Sequence, residues 1–117
     1  MSNGSAEAGI PCCRERRPTQ VRELVSGGRR NVSIERCRSC GAHWLREDAE
    51  IAMSWDNEVN SYAYALISPQ EAAALPVDPT KEDLAFLADR DVLVLAGMHP
   101  GAKPVWQKGW PHDLWMQ

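Results

Sequence analysis

A chain of 117 residues, 44% of them hydrophobic, suits one compact domain and is too apolar for wholesale disorder. Its net charge of −3 hides a polarity: residues 1–47 hold nine arginines against five acids, a net +4, and residues 48–117 hold four basic residues against eleven acids, a net −7. No apolar run approaches the ~18 residues of a membrane-crossing helix, which excludes that class of span.

Residues 1–9, rich in Ser, Gly and Ala, read as a disordered lead-in. They lack the basic and apolar regions of a secretion signal, so a cytoplasmic chain with reduced thiols is expected. Residues 19–25 alternate in polarity and predict a strand. Residues 26–31, Ser-Gly-Gly-Arg-Arg-Asn, have turn chemistry, and residues 32–37 alternate again with Val32 and Ile34 on one face. A third short strand is expected at residues 43–45. Residues 50–55 and 61–67 predict a second hairpin around a turn at 56–60, with Tyr62, Tyr64 and Leu66 sharing a face. Ser68, Pro69 and Glu71 hold the N-cap, N1 and N3 positions of a capping box, so a helix should run to Leu75 and stop before Pro76. Thr80 offers a second N-cap, for a helix through Leu84, Leu87 and Ala88. Residues 92–96, Val-Leu-Val-Leu-Ala, fit either an extension of that helix or a buried strand. From His99 onward Pro and Gly dominate, and Trp106, Trp110 and Trp115 crowd the tail.

The strongest chemical signal is the placing of the cysteines. All four fall within the first 40 residues, as the adjacent Cys12 and Cys13 and as the knuckle Cys37-Arg38-Ser39-Cys40-Gly41. A hairpin between them brings the two pairs to one end of a small sheet. Four thiolates converging in this way fit a tetrahedral Zn²⁺ site, with sulfurs at about 2.3 Å. The two-residue gap aims both knuckle sulfurs at one point, and Gly41 permits the tight backbone. One bound ion supplies on the order of 10 kcal/mol of folding energy, which a sheet with little core needs. Cys12, Cys13, Cys37 and Cys40 are the first choice of ligands, with His43 as a substitute for Cys12 or Cys13. Thiols without metal and a redox dithiol at Cys37 and Cys40 are the alternatives.

Residues 37–44, Cys-Arg-Ser-Cys-Gly-Ala-His-Trp, with the strand that opens at Thr19-Gln20-Val21, resemble the zinc ribbon of transcription elongation factor S and related RNA polymerase subunits. That family's last knuckle reads Cys-x-x-Cys-Gly-x-x-Trp. The resemblance covers residues 10–47. It implies a three-stranded antiparallel sheet around one structural Zn²⁺. Two positions depart from the pattern. Ile10 stands where the first knuckle would begin, and the hairpin tip reads Gly27-Gly28-Arg29-Arg30 in place of the family's acidic pair. Two cations cannot hold Mg²⁺, so transcript cleavage does not carry over. The fold expected is α+β: a ribbon at 10–47, then residues 48–117 packed on it as a β-hairpin, two short helices and a Trp-rich tail.

No phosphate loop, nucleophile elbow or His-Glu-x-x-His helix is present in the sequence, and the expected function is non-enzymatic. The first expectation is a zinc-ribbon module that recognises a protein partner, adaptor-like or immunity- and antitoxin-like. Arg29, Arg30, Trp106, Trp110 and Trp115 are the candidate contacts. Nucleic acid or transcription machinery, gripped by the Arg-rich hairpin, is the alternative partner, and a thiol redox role the second alternative. His99 and His112 read as surface residues.

Overall fold

A computed structural model of the chain describes residues 17–27, 30–54, 57–95 and 105–111. Within them the strands are β1 (Pro18–Val25), β2 (Arg30–Cys37), β3 (His43–Ser54), β4 (Asn57–Ile67), β5 (Asp91–Leu95) and β6 (Val105–Lys108). They form one six-stranded sheet in sequence order, each strand antiparallel to the last. One short helix, α1 (Pro69–Ala74), and one 3-10 turn, Ala85–Leu87, lie between β4 and β5. The expected α+β architecture with two helices is therefore corrected to a mostly β fold. The expectations at Cys12, Cys13, Arg29, His99, His112 and Trp115 lie outside the described residues.

The sheet has two differently covered faces. Val32 and Ile34 of β2, Leu45 and Ala49 of β3, Ala63, Ala65 and Ile67 of β4, and Val92 and Val94 of β5 form one buried face. Ala72 and Leu75 from α1 and its C-cap, Leu84 and Leu87 from the 3-10 segment, and Trp110 cover it. On the opposite face Trp44, Tyr64 and Leu93 form a second cluster, flanked by Ala42 and Tyr62. β5 is buried on both faces, which is why its sequence reads as an unbroken apolar run. A strand here resolves the ambiguity at residues 92–95, and Ala96 lies outside the described residues.

β3 and β4 pair from His43↔Ile67 to Ala52↔Glu58. β3 thus joins the strands expected at 43–45 and 50–55 into one, and β4 already begins at Asn57, inside the expected turn. β3 also runs straight through residues 47 and 48, where the sequence reading divides ribbon from C-terminal segment. The polar run Arg46-Glu47-Asp48 hides this strand. Its period survives underneath, with Leu45, Glu47 and Ala49 alternating against Trp44, Arg46 and Asp48.

α1 starts as its cap dictates. The Glu71 amide donates to Ser68 Oγ at 3.0 Å, and the Ser68 amide to Glu71 Oε1 at 2.8 Å. The second cap forms too: the Thr80 amide donates to Asp83 Oδ2 at 2.8 Å, and the Asp83 amide to Thr80 Oγ1 at 3.2 Å. Yet the amides of Ala85, Leu87, Ala88 and Arg90 all bond three residues back. Leu84 and Leu87 sit three apart and are both buried, and a 3-10 winding stacks such a pair on one face. Only three residues then separate Leu87 from the start of β5, so no room remains for an α-helix. β6 was not expected at all, because it emerges from a Pro- and Gly-rich stretch.

Candidate functional site

The knuckle grows out of the β1–β2 ladder. Pro18 pairs with Cys37, the last residue of β2. The Arg38 amide donates to the Arg17 carbonyl at 2.9 Å, and the Arg17 amide to Cys37 Sγ at 3.4 Å. The chain then turns through residues 38–40. Gly41 takes φ +83°, where a side chain would be strained, and its amide donates to the Cys37 carbonyl at 2.7 Å. The Cys37 amide closes the turn on the Ala42 carbonyl at 2.9 Å. Cys37 is buried and Cys40 exposed. An amide aimed at a cysteine sulfur is the kind of outer-shell contact that orients a thiolate ligand.

Cys13 precedes Arg17 by four residues, a length of chain that spans up to about 14 Å. The first cysteine pair is therefore within reach of the knuckle. Among the described residues no three His, Cys, Asp or Glu side chains converge as a metal site, so His43 does not form one with Cys37 and Cys40. A site of three or more such ligands would have to draw on residues outside those described. His43 opens β3, and its Nδ1 is buried with no hydrogen-bond partner.

The other candidate residues fall in different surroundings. Arg30 Nε donates to Glu47 Oε2 at 2.9 Å, and Trp110 Nε1 donates to Glu47 Oε1 at 3.0 Å. Glu47 is 2% exposed. One buried carboxylate therefore ties the hairpin to the tail, and both Arg30 and Trp110 turn inward to reach it. Trp106, by contrast, is 46% exposed on β6. Glu47 stands in a charged run, but its place between Leu45 and Ala49 on an alternating strand is the signal in the sequence that it faces inward.

Beside the knuckle lies an open groove with a volume of about 780 Å³. Gly41, Ala42 and Trp44 form one wall, so groove and knuckle share a segment. Leu66 and Trp106 supply further apolar surface, and both are exposed. The Trp44 indole N–H is buried without an acceptor. At the rim Arg90 grips Glu71 with both guanidinium nitrogens, one at 2.7 Å, and Lys108 meets Asp91 at 2.9 Å. The Arg90 and Ser68 hydrogen bonds hold the Glu71 carboxyl down to about 2. Farther along the same face Arg46 stands between Glu35, Asp48 and the Tyr64 hydroxyl, 5.1 Å from the Tyr62 ring centre. Burial works against its charge, but the Tyr64 hydroxyl and the two carboxylates outweigh burial and raise its pKa.

No protein-family model, curated protein or solved structure matches this chain. No helix among the described residues is long and apolar enough to cross a membrane.

Proposed function

We propose that the protein is a non-enzymatic binding module whose β1–β2–β3 end is held by one structural zinc ion and whose adjoining groove engages a protein partner. Cys12, Cys13, Cys37 and Cys40 would hold the ion, which would lock the ends of the hairpin together. The observation that carries the reading is the knuckle itself: Cys37 closes the β1–β2 ladder and accepts the Arg17 amide, on the segment that leads back to Cys13. The shared wall at Gly41 and Ala42 gives the ion a second effect, since it would also set the shape of the groove. Trp106 is the aromatic contact best exposed to a partner.

Metal analysis of the full chain, purified without added metal, tests the first half. About one zinc per chain is expected from the four-thiolate site, with loss of most of it in Cys37→Ser and in Cys40→Ser. A chain that carries no metal ends the reading. Cross-linked partner capture with the full chain and with Trp106→Ser tests the second half, and capture that is indifferent to Trp106 moves the contact elsewhere.

A further inference from the structure

We infer that the groove between Trp44, Leu66 and Trp106 takes an extended segment of the partner protein that carries an apolar side chain next to a basic one. The inference rests on the reading of the protein as a binding module and adds the place and the chemistry of the contact.

Three observations lead to it. Two exposed large hydrophobic residues, Leu66 and Trp106, line this groove. A patch of this kind rimmed by charge is the usual mark of an interaction surface. The groove also runs beside β6, the last strand of the sheet among the described residues, all four residues of which are exposed. An edge strand offers its outer backbone groups to an added strand, which favours an extended peptide over a compact ligand. Trp44 lines the same groove, so a segment seated there lies against its ring.

The rim sets the sign of the charge. Arg90 is committed to Glu71, and Lys108 to Asp91. Asp89 also lines the groove and is exposed, and among the described residues its carboxylate has no cationic partner, Lys108 Nζ donating instead to its backbone carbonyl at 3.5 Å. Among the described residues the rim is thus short of one positive charge, beside the exposed Trp106 indole, whose face also attracts cations. An arginine or lysine in the segment answers both, whereas a glutamate or aspartate would be repelled.

The test uses the full chain, ¹⁵N-labelled and as purified, titrated with the blocked pentapeptide acetyl-Ser-Leu-Arg-Leu-Ser-amide. Two controls replace its arginine by glutamate or its leucines by serine. Trp44→Phe and Trp106→Phe assign the two indole signals. Saturable shifts of both indole N–H signals are expected with the parent peptide. Binding should be about fivefold weaker for the glutamate control, the size of one exposed ion pair, and Asp89→Asn should remove most of that difference. No saturable shift at the two indoles below about 5 mM peptide overturns the inference, as does equal binding of the charge variants. Shifts that follow protein concentration alone would put a second copy in the groove and overturn it too. A metal-free chain that still binds the peptide removes the zinc reading alone. Partner capture through Trp106 with no charge preference among peptides removes this inference alone.

Discussion

Glu47 is the residue whose environment says most about how the chain is tied together. A carboxylate at 2% exposure is costly unless its oxygens are met, and here Arg30 meets one and Trp110 the other. The two donors come from β2 and from the segment after β6, so the side chain joins the start of the sheet to its end. Glu47→Gln keeps the shape but turns an N–H₂ towards one of these donors. We expect a loss of about 1–3 kcal/mol in urea unfolding, with a smaller loss of about 1 kcal/mol in Trp110→Phe, which deletes a single donor. The double variant should cost less than the sum, because both changes break the same bond. Additive losses would mean that the bond contributes nothing. This tie was not legible in the sequence. The alternation of Leu45, Glu47 and Ala49 hints at its inward direction, but its partners Arg30 and Trp110 lie 17 and 63 residues away and only the folded sheet brings them to it.

At the scale of elements, local chemistry was read more surely than its outcome. Both caps, at Ser68 and at Thr80, form as the residues dictate. Only the first leads to a helix. The second is overridden by the need to bury Leu84 and Leu87 and to enter β5 at Asp91. The strands of the first hairpin were legible because one face is apolar and the other is not. β6 was illegible because its four residues are all exposed and carry no alternation towards a core. The knuckle was legible from Cys37, Cys40 and Gly41, whereas the groove beside it was not, since it needs Trp44, Leu66 and Trp106 brought together from three strands. Between α1 and β5, the Arg90–Glu71 pair makes a clear pH prediction. The Glu71 carboxyl is lowered from 4.5 to about 2, by Arg90 first and then by the Ser68 amide. A carboxyl lowered on folding stabilises above its unfolded pKa. That stability is complete above about 4.5 and is lost as pH falls towards 2. Melting temperatures of the wild type should therefore fall through this window more steeply than those of Glu71→Gln. Parallel curves would show that the pair adds nothing to the fold.

Across the whole molecule one sheet carries both halves of the charge asymmetry, and one core spans them. Leu24, Val32 and Ile34 from the basic half share a buried cluster with Leu87, Val92 and Trp110 from the acidic half. A small zinc finger unfolds when its metal is removed, because the ion replaces a core. Here the core extends well beyond the cysteines, so the proposed ion should govern only one end of the sheet. Its reach is marked by the amides around the knuckle. Those of Arg38 and Gly41 bond to the Arg17 and Cys37 carbonyls, at the very end of the β1–β2 ladder. Residues such as Ala65 and Val92 are fully buried within the paired strands. Hydrogen exchange before and after removal of the metal with a chelator reads this difference directly. Protection should drop at Arg38 and Gly41 by a factor of about 10 or more, from loss of at least ~1.4 kcal/mol of local stability, and stay nearly constant at Ala65 and Val92. Loss at all four sites would make the ion the keystone of the entire sheet. Unchanged exchange at all four in a chain that has given up its metal would separate the ion from the fold altogether.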